Sequence, residues 1–252
     1  RRSRVNHIFI SHMHGDHYFG LPGLLNSYSL TSRTEELHVY GPAPLQEILE
    51  LQFRAAENKL SYPFYFHPLG EAGVLLDEKK ITVSSFRVKH RIPCWGFLFR
   101  EKQKPRKVDP ERARLFDVPS AFFPKLKEGE DYMDEYGRIV KNEEVTKPAS
   151  PSRSYAYCAD TTYDEELSVT VKDSDMIYHE ATYLDEMRER AKERFHSTAK
   201  QAAMVARDAG VKKLLLGHFS SKYEVLDAFR QEAEAVFPDV ELAKEGVTFL
   251  VK

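Results

Sequence analysis

The sequence has little cysteine: Cys94 and Cys158 are the two in 252 residues. Two are too few for a disulfide framework, so a reducing compartment is expected. It also has no apolar run near the roughly 18 residues of a membrane span. Neither sign of charge is in excess. With 37 Lys and Arg against 39 Asp and Glu the net charge is −2, which gives no global attraction to nucleic acid, and such binding has to come from local clusters. An export signal is missing as well, because the opening RRSRVNHIFIS is basic but has only a brief apolar segment and no small-residue cleavage site. These absences predict a cytoplasmic protein without membrane segments. No internal repeat is present. What is present is 42% hydrophobic and 12% aromatic residues, enough for a sizeable core in one large domain or two small ones.

Strand-like runs alternate with helical ones. Val5 to Ser11, Leu37 to Tyr40, Ile81 to Lys89, Cys94 to Arg100, Ser154 to Ala159, Asp175 to Tyr178, Lys212 to Leu216 and Val247 to Val251 are mostly rich in β-branched and aromatic residues and predict strands. Helical spacing runs through Ala43 to Glu57, Leu184 to Phe195 and Glu224 to Phe237. Ser197 reads as the N-cap of a further helix that Gly210 closes. The order predicts an α/β layered fold. Residues 101–152 differ: they are charged, weakly periodic and broken by six prolines, as expected of an insertion outside the main core.

The densest chemistry is His12-Met13-His14-Gly15-Asp16-His17. His12 and His14 stand two apart just past a strand, so an extended chain sends both to one side and lets them share a metal. Gly15 permits a sharp turn, after which Asp16 and His17 leave in a new direction, within reach of a second ion. A single histidine near a strand end is more often structural, and His7, His38 and His67 are read that way. Four strong donors in six positions are a metal-binding pattern.

HMHGDH resembles the HxHxDH signature of the metallo-β-lactamase superfamily. HGDHYFGLPGLL, VKHRIPCWGF, YCADTTY, YHEATY, FHSTAKQAA and LLLGHFSSKY resemble, in order, the motifs of the ribonuclease Z family of tRNA 3′-processing endonucleases, over about residues 5 to 225. The resemblance implies a metallo-β-lactamase-type αββα sandwich and two zinc ions, with manganese an alternative for the same donors. By position, His12, His14 and His90 would hold one ion, Asp16, His17 and His218 the other, and Asp160 would bridge them. It also implies that His196, charged and oriented by Glu180, protonates the leaving oxygen or stabilises the phosphorane, while Asp16 positions or deprotonates the nucleophile. Ser220, Lys222 and Tyr223 are implied as phosphate contacts. The expected substrate is precursor tRNA, the product a tRNA with a 3′-hydroxyl, and the expected assembly a homodimer.

The family's tRNA-gripping arm falls where residues 101–152 lie. Seven positive charges against three negative ones between Arg100 and Arg114 favour RNA there, and Lys125 and Lys127 sit in a KLKEG-like part of it. The glycine-proline pair usual before that part is absent. The resemblance further implies a glycine-rich opening and an aspartate-bearing strand upstream of the first metal motif, whereas RRSR begins almost at it; an N-terminally incomplete sheet is the expectation. Two other readings stay open, another hydrolase of the same fold acting on a small molecule and a zinc- and tRNA-binding protein without turnover.

Overall fold

The computed structural model describes residues 5–252, so the basic RRSR opening, read above as part of a poor export signal, lies outside the described residues. The chain divides into two compact units, one comprising the chain up to Asp77 with Thr82–Phe99 and Ser154–Lys252, the other Glu78–Ile81 and Arg100–Arg153.

The first unit begins with β1 (His7–Phe9), α1 (Gly15–Tyr18), α2 (Gly20–Leu30), β2 (Leu37–Pro42), α3 (Ala43–Ala55) and β3 (Phe64–Leu69). β2 lies between β1 and β3, parallel to both, with Val39 opposite Ile8 and Phe66. Leu21 and Leu25 of α2 and Leu45 and Leu49 of α3 recur at helical spacing and pack with Ile10 and Val39 on one face of this sheet. Each fully buried leucine contributes about 1.5–3 kcal/mol.

The chain continues through β4 (Gly73–Asp77), β5 (Ile81–Val88) and β6 (Cys94–Glu101), and after the second unit through β11 (Ser154–Cys158), α7 (Glu166–Thr170), β12 (Met176–Glu180), α8 (Arg188–Glu193), α9 (Ala199–Ala209), β13 (Lys213–Gly217), α10 (Asp227–Glu234) and β14 (Val240–Leu242). These strands form one seven-stranded sheet in the order β14-β13-β12-β11-β6-β5-β4, parallel from β14 to β11. α7, α9 and α10 cover one of its faces with Leu167, Val205 and Phe229. Tyr40 and Leu69 of the first sheet meet Trp95 and Phe97 of the second. Helices, sheet, sheet and helices therefore stack in four layers, the expected αββα sandwich.

The second unit holds β7 (Lys107–Val108), α4 (Pro110–Leu115), α5 (Phe123–Glu128), β8 (Tyr132–Met133), β9 (Ile139–Val140), α6 (Asn142–Val145) and β10 (Thr146–Lys147). Ala113, Val118, Leu126, Val140 and Val145 make a small core of its own. Asn142 Nδ2 ties it together by donating to the carbonyls of Leu126 at 2.8 Å and Glu130 at 2.9 Å.

Three local readings change. Val247 to Val251 forms no strand among the described residues, although its composition is strand-like; β14 takes the sheet edge beside β13 instead, and propensity rewards a pleated, half-buried surface only where one is available. Thr198, not Ser197, caps α9, since its hydroxyl accepts from Gln201 N at 3.2 Å while Gln201 Oε1 accepts from Thr198 N at 3.0 Å. Ser197 Oγ donates to the Thr161 carbonyl at 2.8 Å. The helix expected from Leu184 to Phe195 is a 3₁₀ turn at Asp185–Met187 followed by α8. No helix among the described residues is long and apolar enough to cross a membrane.

Candidate metal centre

Strand ends supply the site. His12 and His14 follow β1, His90 follows β5, Asp160 follows β11, Glu180 ends β12 and His218 follows β13. β11, β12 and β13 are parallel, so their carboxyl ends share one edge of the sheet, the edge on which ligand sites of such sheets form.

Asp160 is the focus. It is 3% exposed, and its Oδ2 lies 3.4 Å from His17 Nε2, 3.4 Å from His218 Nε2, 3.7 Å from His12 Nε2 and 4.0 Å from His90 Nε2. Burial alone would raise the pKa of this carboxyl, but His17, His218 and His12 hold it below the ordinary range, so it is ionised. Donor atoms of His12, His14, His90 and Asp160 form one group; Asp16, His17 and His218 form a second, and Asp160, His196 and His218 a third.

Hydrogen bonds fix which ring nitrogens are free. His90 Nδ1 donates to the Phe195 carbonyl at 2.9 Å, which leaves Nε2 as the lone pair facing the cluster. Thr182 Oγ1 is 2.8 Å from Glu180 Oε2 and 2.8 Å from His218 Nδ1. Its single proton goes to the carboxylate, so it accepts from His218 Nδ1 and frees His218 Nε2. His12 Nδ1 has Ser11 Oγ at 3.0 Å, and burial together with the neighbouring His17 pulls His12 down to about 3, so it stays neutral. Two carriers of these contacts are strained: Phe195 and His218 have φ of 59° although neither is glycine, a conformation that persists at functional sites where surroundings enforce it.

Do these donors fit a metal? His14 Nδ1 stands 3.1 Å from both His12 Nε2 and His90 Nε2. Nitrogen donors on a tetrahedral ion at about 2.0–2.1 Å stand about 3.3–3.4 Å apart, close to that spacing. His17 Nε2 is buried and makes no hydrogen bond, an orphan that a cation would satisfy. The donor sets suit a divalent metal.

Beside the cluster, Glu180 is fully buried and accepts four times, from Thr161 N at 3.1 Å, Thr182 N at 2.9 Å, Thr182 Oγ1 at 2.8 Å and His196 Nδ1 at 2.7 Å. Burial lowers the His196 pKa, but the hydrogen bond and charge of Glu180 outweigh it and leave it raised.

Gly15 opens α1 without a positive φ. The sharp turn expected there therefore does not depend on glycine's positive-φ freedom, and a Cβ would come within 2.1 Å of the ring of Phe19, an exposed side chain that would have to shift. Of the expected phosphate contacts, Ser220 N donates to the Thr182 carbonyl at 3.1 Å, the Tyr223 hydroxyl accepts from Leu184 N at 3.2 Å, and the Lys222 ammonium lies 4.5 Å from the Tyr223 ring centre. Lys125 and Lys127 belong to the second unit, where Lys125 pairs with Glu130 at 3.7 Å. Sequence reasoning passed over Thr182, although it lies in the quoted YHEATY, and the arginines Arg91, Arg190 and Arg194, which had no signal beyond the adjacency of Arg91 to His90.

Residues 1–93 match the family model of the metallo-β-lactamase superfamily. A ribonuclease Z of Bacteroides fragilis is 41% identical over 97% of this chain and 81% of its own length. A ribonuclease Z of Porphyromonas gingivalis is 41% identical over 96% of this chain and 80% of its own. Among solved structures, the short form of human tRNase Z matches with a TM-score of 0.67 at 23% identity, covering 100% of this chain and 81% of that one, a likeness of fold.

Proposed function

Because this chain belongs to the ribonuclease Z family, we propose that it is a metal-dependent endoribonuclease that cuts the 3′ trailer from precursor tRNA and leaves a 3′-hydroxyl on the tRNA. The observation that supports this reading best is the pairing of an Asp160-centred donor cluster with a His196 held 2.7 Å from a buried Glu180.

In this reading His12, His14 and His90 would hold one zinc ion and Asp16, His17 and His218 another, with Asp160 a ligand shared by both; imidazole and carboxylate donors suit zinc, and manganese would take the same set. When bound, the pair supplies Lewis-acid stabilisation of phosphoryl charge and acidifies water toward neutral pH. Asp16, whose side chain is 68% exposed, orients the attacking water and accepts its proton. Water adds to phosphorus, and the bond to the ribose 3′-oxygen of the upstream RNA breaks. His196 then gives that oxygen a proton from Nε2, while Glu180 keeps Nδ1 protonated and balances the imidazolium charge. The trailer leaves with a 5′-phosphate. Ser220, Lys222 and Tyr223 stand in the loop after His218 as contacts for the RNA backbone. A homodimer and a cytoplasmic setting, where precursor tRNA is found, belong to the same reading.

Incubating end-labelled precursor tRNA with the protein should give one cut, abolished by chelator, with a 3′-hydroxyl on the mapped tRNA end. Rapid hydrolysis of bis(p-nitrophenyl) phosphate with intact precursor tRNA would instead make the chain a small-molecule phosphodiesterase.

The second unit is proposed as the tRNA-gripping arm. Replacing Lys102 to Lys147 with a short flexible linker should spare bis(p-nitrophenyl) phosphate hydrolysis, weaken precursor-tRNA affinity by about tenfold or more and flatten its salt dependence. Unchanged affinity would reduce this unit to a solvated appendage.

A further inference from the structure

Beside the candidate centre, a cavity of about 210 Å³ has His14, His90 and His196 on its inner side and Arg91, Arg190 and Arg194 around it. Arg190 lies in α8 and Arg194 caps it four residues later, so both guanidinium groups rise from one face of the helix. Glu186 and Glu193 stand four residues before and three after Arg190, within reach by spacing, yet among the described residues neither forms an ion pair with it. Some surface arginines are matched to carboxylates, as Arg188 is to Asp185 at 3.0 Å, Arg207 to Asp208 at 2.8 Å and Arg230 to Glu234 at 2.7 Å. Among the described residues Arg91, Arg190 and Arg194 have no such partner. Like charges at helical spacing repel, and gathering three of them at one cavity leaves a place for an anion.

Arg91 adds a second argument. Its Nη2 donates to His14 Nε2 at 3.0 Å, so Arg91 is held where the cavity meets the donor cluster, which His14 joins through its other ring nitrogen. Nδ1 is the atom that faces His12 and His90.

We propose that Arg91, Arg190 and Arg194 form a subsite for the internucleotide phosphate adjoining the scissile one. The chemistry fits, because guanidinium forks take phosphate oxygens in pairs, and a second phosphate held one nucleotide away fixes the chain's direction across the cluster. This deepens the reading above and rests on it.

The test uses a short single-stranded RNA spanning a cleavage site, and three versions of it: all phosphates charged, the phosphate on the 5′ side of the scissile one replaced by an uncharged methylphosphonate, and the same on the 3′ side. Binding is measured by fluorescence anisotropy on the zinc-loaded protein and on R190Q/R194Q, with thermal unfolding as the check that the exposed substitutions leave the fold intact. One methylphosphonate position should weaken binding to the wild type by about tenfold, while R190Q/R194Q should bind all three RNAs alike and show a salt slope smaller by about two. Inorganic phosphate, titrated as a competitor, should displace the charged RNA from the wild type more readily than from the variant. Equal sensitivity of wild type and variant to methylphosphonate would overturn the subsite. Competition by phosphate without any methylphosphonate effect would overturn it too, marking a free-anion site. Failure of the tRNase reading would show separately, as no cut in precursor tRNA, and leaves the binding comparison standing.

Discussion

Asp160→Ala is expected to strip the divalent metal and lower kcat/KM by about 1,000-fold or more, since the Lewis-acid contribution is several kcal/mol and each 1.36 kcal/mol is a factor of ten. The reason is geometric. One oxygen of Asp160 stands within 4.0 Å of four imidazole nitrogens taken from β1, α1, β5 and β13 ends, so no neighbouring side chain can take its place between the two donor groups. It is also the negative charge that makes a cluster of imidazoles attractive to a cation. Metal analysis of the purified variant, alongside cleavage of labelled precursor tRNA, checks the expectation. Full metal content with full activity would mean that the cluster is held by histidines alone and that Asp160 is a structural carboxylate.

His196→Ala should lower kcat by about 10²–10⁴-fold, the usual span of a proton-transfer group, while keeping the metal. Its Nδ1 is committed to Glu180 at 2.7 Å. His196 also shares a donor group with Asp160 and His218, so metal content is the measurement that decides between acid and ligand: loss of metal comparable with Asp160→Ala would make His196 a ligand. The pH profile gives an independent reading. Glu180 raises the His196 pKa against the pull of burial; an imidazolium acid works while protonated, so kcat should fall as pH rises through that raised value. In His196→Ala this alkaline limb should be gone, and its persistence would assign the limb to another group.

Much of this was legible in the order of residues. His12, His14, Asp16 and His17 declare a metal site by their identity, because few other roles bring four strong donors into six positions. The strands leading to His90 and Asp160 were legible from β-branched and aromatic residues and the one before His218 from its leucine run, an α/β layered fold from their alternation with helices, and the αββα sandwich from the family resemblance. Less legible were Thr182, whose hydroxyl passes the charge of Glu180 to His218, and the capping of α9 by Thr198 rather than its neighbour Ser197. The first depends on a strand end bringing His218 beside Thr182 and the second on which of two adjacent hydroxyls points at the partner, and neither is settled until the strand end or helix start is built. Val247 to Val251 looked like a strand and is none among the described residues, since composition states a preference and the sheet edge decides whether there is anything to pair with.

By itself the sequence determined the donor types, the strand and helix segments and the family, because these follow from side-chain chemistry and local periodicity. Only the tertiary structure decided which nitrogens face the cluster and that Arg91 meets Arg190 and Arg194 at one cavity. Those residues are about a hundred positions apart in the chain, and what brings them together is the alignment of strand ends in one sheet and the turn of α8 beside it. No local pattern encodes such a distance.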